Sequence, residues 1–265
     1  MTQGNLKNTE RLPRETLPVL EQHTSALLRV LRAKLVGVYV HGSAAMGGFT
    51  PRQSDLDYLA VVAKPLNEVE RAGLSEAFLS LHGRSGFRKG VEMSIVEARF
   101  AGTGFRYPTP YEFHMGTREQ VEHHGSPHRF EHRDPDLASH FAVVRERGVC
   151  VFGRDIAKVF APVPRKYFFL SNLEDVRNAR DQILKDPVYV VLNLCRTLFA
   201  VEDGNVYSKI EGARHYLEKR TEFRELVQTA LGDYQSGGPS NYDPAKLQEF
   251  ANALLAEIER AVACS

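Results

Sequence analysis

The 265-residue chain has no tryptophan, only three cysteines and almost no net charge. Lys and Arg number 34 against 33 Asp and Glu, a formal charge of +1. Such a balance creates no global field toward nucleic acid or an anionic membrane. Cys150, Cys195 and Cys264 are scattered without a CxxC pair. That spacing excludes a zinc ribbon or a disulfide framework and leaves reduced thiols of a cytoplasmic protein as the expectation. No apolar run approaches the ~20 residues that cross a bilayer. The stretch from Met1 to Glu15 is polar, without the apolar core of a signal peptide. Neither a membrane nor a nucleic acid is an expected partner.

What remains is an ordinary globular composition, 43% hydrophobic and 25% charged, long enough for one large domain or two modest ones. Apolar residues at helical spacing run from about Leu17 to Leu35, after Pro13. The β-branched and aromatic stretch from Leu35 to Val40 reads as a strand, and it enters a small-residue turn from His41 to Gly48. A second strand spans Asp55 to Val62, a helix Leu66 to Leu81, and a third strand Gly90 to Val96. This alternation indicates an α/β layer arrangement. From about Phe100 to His132 there is no clear period, and the segment reads as long loops over the sheet. Asp136 to Arg147 reads as a helix, and Gly148 to Phe152 as a short edge strand.

Beyond Pro162 and Pro164 the pattern becomes all-helical, over Leu173 to Leu184, Val188 to Val201, Lys209 to Lys219, Phe223 to Leu231 and Pro244 to Val262. A domain boundary falls near 158–165, followed by a helical bundle. The histidines His123, His124, His128 and His132 have neither the HExxH spacing nor the cysteine partners of a zinc site and read as loop composition.

The chemistry concentrates in Gly42-Ser43 and Ser54-Asp55-Leu56-Asp57. Alternate residues of a strand share a face, so Asp55 and Asp57 project together. Two aligned carboxylates are costly unless a cation lies between them, and Mg²⁺, which takes oxygen ligands and substrate phosphates, is the natural partner. Gly42 allows close backbone approach to a phosphate, and Ser43 offers a hydroxyl donor. Glu92, on the opposite face of its strand from Val91, Met93 and Ile95, is a third carboxylate: another metal ligand, a general base, or an ordinary strand glutamate.

The run Gly42-Ser43…Gly47-Gly48…Ser54-Asp55-Leu56-Asp57 resembles the nucleotidyltransferase signature shared with DNA polymerase beta. More narrowly, the chain resembles the streptomycin- and spectinomycin-modifying aminoglycoside adenylyltransferases. The likeness is carried by His41 to Pro51, Tyr107 to Gly116, Asp134-Pro135-Asp136, Phe160 to Pro164, Asp186 to Arg196 and Gly204…Lys209, over roughly residues 35–235. It implies a nucleotidyltransferase domain with a small mixed sheet flanked by helices over 1–160. A helical bundle that binds substrate and nucleotide would follow over 161–265. It also implies Asp55 and Asp57 as Mg²⁺ ligands, and Glu92 as catalytic base and further ligand. Ser43 and Ser54 would contact the phosphates of ATP, the co-substrate, and Arg196 and Lys209 its triphosphate. Tyr234 and Asp136 would contact the nucleotide, and Asp186 a cationic aminocyclitol.

The chain departs from the dual-specificity branch of that family, which presents tryptophans to streptomycin. Arg177 and Gln182 fall where that branch has a Trp and a further Asp, and Arg118 falls at another tryptophan position. A cation at Arg177 disfavours a guanidinium-bearing ligand. The resemblance therefore implies ATP- and Mg²⁺-dependent O-adenylylation of spectinomycin rather than streptomycin, by a monomer, with the acceptor between the two domains. Two alternatives stay open. One is the same chemistry on a protein side chain, an RNA end or a metabolite; the other is a non-catalytic nucleotide-binding module.

Overall fold

A computed structural model describes residues 6–81, 83–116, 128–238 and 240–264. Arg118, His123 and His124 lie outside the described residues. The chain divides into two compact units, Met1–Val163 and Pro164–Ser265.

The first unit is built on a six-stranded mixed sheet in the order β5-β4-β3-β2-β1-β6. The strands are β1 Leu35–Val40, β2 Leu56–Val62, β3 Val91–Glu97, β4 Thr109–Met115, β5 His128–Asp134 and β6 Val149–Gly153. Only β2 and β3 run parallel; the other neighbours are antiparallel. That parallel pair needs a crossover, which α3 (Glu68–Leu81) provides. With α1 (Leu17–Leu31), α3 covers one face of the sheet, where Leu20, Leu27, Leu74 and Phe78 close over Val38, Tyr58, Ala60 and Ile95. Each large apolar side chain fully buried there contributes about 1.5–3 kcal/mol. The opposite face is covered by α5 (Leu137–Arg147), whose Leu137, Phe141 and Val144 pack on Tyr39, Leu59, Val61 and Val96. The unit also contains two one-turn helices among its described residues, α2 (Gly42–Ala45) and α4 (Ala98–Ala101). Residues just ahead of α1 lie along the outer strand: the Lys7 amide donates to the Val151 carbonyl at 2.9 Å and Asn8 Nδ2 to the Cys150 carbonyl at 2.9 Å.

The reading of Phe100 to His132 as loops is corrected here, since β4 and β5 arise from this segment. A proline is compatible with β4 because β3 pairs only with Phe113 to Met115, so Pro110 lies outside that ladder. The β5 sequence, His-Arg-Phe-Glu-His-Arg-Asp, has no apolar alternation because it forms the outer strand of the sheet, where charge is tolerated.

The second unit is helical: α6 Arg165–Val176, α7 Ala179–Gln182, α8 Pro187–Asp203, α9 Lys209–Lys219, α10 Arg224–Ser236 and α11 Pro244–Ala263. The single helix expected over Leu173 to Leu184 is broken into α6 and α7 around Arg177 and Asn178. Helix α8 is the axis of the bundle, buried almost all round from Val190 to Val201. Its ends are well defined. Asp186 caps it with a side-chain oxygen accepting from the Tyr189 amide at 3.2 Å, Pro187 occupies the first turn, and Gly204 ends it at φ 82°. Among the described residues no helix is long and apolar enough to cross a membrane.

Candidate active site

Strand register brings the carboxylates together. In the parallel pair, Asp57 lies opposite Glu92, both on the face that carries Leu59, Val61 and Val96 further along. Asp55 precedes β2, and Asp55, Asp57 and Glu92 each offer an oxygen within 4.8 Å of the other two. All three are partly exposed. Ionised carboxylates this close repel one another, and a divalent cation with oxygen preference would relieve that repulsion.

Gly42 lets the neighbouring turn approach them. Its backbone sits at φ 61°, and a Cβ there would fall 2.0 Å from Asp57 Oδ2. The preceding residue ties the turn to the same strand, with the His41 amide donating to the Asp57 carbonyl at 3.0 Å. Ser43 follows within α2, and its hydroxyl oxygen is enclosed without a hydrogen-bond partner among the described residues. An enclosed hydroxyl of this kind is costly unless an acceptor or donor arrives.

Ser54 has a different setting. It is buried, its Oγ accepts from the Thr50 amide at 3.1 Å, and its own amide donates to the Thr50 carbonyl at 2.8 Å. It thus closes the turn that delivers Asp55. Asp136 stands at the start of α5, where its carbonyl accepts from the Ser139 hydroxyl at 2.9 Å and the His140 amide at 3.0 Å. The sequence reading missed two side chains beside this site: the His41 and His140 rings lie 4.7 Å apart. Burial holds the His41 imidazole well below its usual pKa, and the electrostatic influence of His140 acts in the same direction. The position of His41 next to Gly42 was the one available signal. Beyond Glu92 on the same face, Ser94 Oγ and His114 Nδ1 are 2.9 Å apart.

In the second unit, Tyr189, Asn193 and Arg196 recur at helical spacing along α8 and share a face. Arg196 Nη2 donates to Asp175 Oδ2 of α6 in a tight charge-assisted contact, and Asn193 Nδ2 donates to the same oxygen at 3.1 Å. Lys209, first residue of α9, holds its ammonium 4.1 Å from the centre of the Tyr189 ring. Its backbone is set by a capping box between Ser208 and Glu211. Asp186 is exposed and engaged as a helix cap. Arg177 is exposed and paired with Glu174 at 2.7 Å. Tyr234 lies half-buried on α10, after Asp233. Burial opposes ionisation of Asp233, but hydrogen bonds from Ser240 and Tyr242 outweigh it and hold the pKa below the usual range. Asp175, His140 and Asp233 carry no motif that marks them in the sequence.

Residues 158–257 match the family described as aminoglycoside adenylyltransferase, C-terminal domain. A spectinomycin 9-adenylyltransferase of Staphylococcus aureus is 29% identical over 67% of this chain and 68% of its own. An aminoglycoside (3'') (9) adenylyltransferase of Escherichia coli is 28% identical over 94% of each chain. The fold is similar to that of a spectinomycin adenyltransferase from Enterococcus faecalis solved with ATP and spectinomycin. The TM-score is 0.77 and the sequence identity 20%, covering 92% of this chain and 99% of that one.

Proposed function

We propose, starting from a chain that belongs to the aminoglycoside adenylyltransferase family, that it transfers AMP from ATP to a hydroxyl of an aminocyclitol antibiotic, spectinomycin rather than streptomycin. The observation that carries the chemistry is the Asp55, Asp57 and Glu92 cluster beside the enclosed Ser43 hydroxyl. The relatives carry the acceptor: those above are a spectinomycin 9-adenylyltransferase and an aminoglycoside (3'') (9) adenylyltransferase. The absence of tryptophan and the position of Arg177 favour spectinomycin within that class.

The three carboxylates suit Mg²⁺, a hard cation that takes carboxylate oxygens and phosphates, and Asp55, Asp57 and Glu92 would hold it. When bound, the ion supplies positive charge against the phosphate oxygens, on which negative charge grows during transfer. Ser43 donates its hydroxyl to a phosphate oxygen, and Ser54 positions the turn that carries Asp55. Arg196 and Lys209 bind phosphate oxygens, while Asp136 and Tyr234 contact the nucleotide. Asp186 accepts from an ammonium group of the aminocyclitol, and Arg177 is the second residue assigned to that substrate.

Glu92 takes the proton from the acceptor hydroxyl onto a carboxylate oxygen. The freed oxygen forms a bond to the α-phosphorus as the bond to the bridging oxygen breaks, and pyrophosphate leaves. A positioned general base contributes about 10²–10⁴-fold. Glu92→Gln, similar in shape but unable to accept the proton, is expected to lose turnover by that amount. Binding of ATP, read by calorimetry, should be retained. Turnover within tenfold of the parent protein removes Glu92 as the base.

The acceptor is tested directly. The protein is incubated with ATP, Mg²⁺ and a panel of aminocyclitols, and each product is weighed by mass spectrometry. An AMP adduct on spectinomycin is the expected result, with less or none on streptomycin. No adduct on either compound rejects the antibiotic reading and leaves nucleotidyl transfer to another acceptor.

A further inference from the structure

Arg196 is held from two directions. Its Nη2 is bound to Asp175, whose same oxygen also accepts from Asn193 Nδ2 at 3.1 Å. Its backbone is pressed by Gly212 of α9, where a Cβ would sit 2.5 Å from Arg196 Cα. Arg196 Nε, in contrast, is enclosed and has no hydrogen-bond partner among the described residues. A guanidinium N–H enclosed without an acceptor is costly, so the arrangement suits a ligand that brings one. The guanidinium fork matches phosphate oxygens in geometry as well as charge.

We infer that Asp175 is a positioning residue for phosphate binding. It fixes the orientation of the Arg196 fork so that the guanidinium is already set to donate to a phosphate oxygen of the nucleotide. The inference rests on the reading of Arg196 as a phosphate-binding cation and adds the residue that aims it. A long arginine side chain loses rotamer freedom when it binds a ligand; Asp175 and Asn193 impose that loss beforehand. Asp175 and Arg196 are each about a quarter exposed, at 25% and 27%. An ion pair so placed adds little to stability, which leaves orientation of the fork as its main effect. The Asp175 contact is made through Nη2, and Nε keeps its donor for a ligand.

The test uses the full chain, Mg²⁺ and a non-hydrolysable ATP analogue, with binding measured by calorimetry and KM values by steady-state AMP transfer. Asp175→Ala is expected to weaken analogue binding and raise the KM for ATP by about tenfold, with the KM for the aminocyclitol unchanged. Asp175→Asn keeps the shape and one acceptor oxygen, and should recover part of the loss. In an Arg196→Ala background, where nothing is left to aim, Asp175→Ala should add almost nothing. Equal losses in both backgrounds overturn the inference, as does a lower melting temperature with unchanged analogue affinity; Asp175 is then a strut between helices. If analogue binding alone follows the expected pattern across the variants but no aminocyclitol is adenylylated, the acceptor reading falls and the role of Asp175 stands.

Discussion

Asp57→Asn is expected to reduce AMP transfer by on the order of a thousandfold while leaving the protein folded. The two side chains have nearly the same shape, and Asp57 sits at the start of β2, partly exposed, so the core beneath loses nothing. What is lost is one of three charges gathered within 4.8 Å. A charge that holds a cation against the developing phosphate charge is worth several kcal/mol, and about 4 kcal/mol corresponds to three orders of magnitude in rate. The measurements are the initial rate of AMP adduct formation and a thermal melt. A variant that melts with the parent protein and keeps more than a tenth of its rate would show that this carboxylate does not hold the catalytic cation.

Gly42→Ala should be nearly as damaging, through geometry rather than charge. The residue lies at φ 61°, where a side chain costs about 1–2 kcal/mol, and the added methyl would fall 2.0 Å from Asp57 Oδ2. Either the turn or the Asp57 carboxylate must shift by more than an ångström. A displacement of about 1 Å at reacting groups can cost on the order of a hundredfold, and a loss of at least that size is expected in kcat/KM. Stability should fall by about 1–2 kcal/mol, the cost of holding a side chain at this backbone conformation. A variant with kcat/KM close to that of the parent would show that the turn does not govern the position of Asp57.

Much of this site was legible because it is local. Gly42-Ser43 and Asp55-Leu56-Asp57 are short runs in which spacing alone sets which side chains share a face. The helical half was legible for the same reason: α9 covers Lys209–Lys219, and α8 differs from the expected span only at its ends. Glu92 was less secure, since its place beside Asp57 depends on which strands are neighbours and in what register. Strands β4 and β5 at one side of the sheet were missed because pairing, not apolar alternation, makes them strands. Asp175 and the His41–His140 contact could not be read at all. Each depends on two elements meeting, and no residue pattern near Asp175 or His140 announces it.

The shared rung of Asp57 and Glu92 also bears on how the molecule assembles. The two strands are parallel, so the chain must leave β2, pass through α3 and return before that rung can close. Such a closure is non-local, and the chain entropy it costs is recovered only once the pairing and the covering helix are both in place. A slip of one residue in this ladder would move Glu92 to the face covered by α1 and α3, burying its charge among apolar side chains. That penalty selects against the wrong register. In refolding from denaturant, recovery of AMP transfer should therefore follow sheet closure and lag behind recovery of helix content.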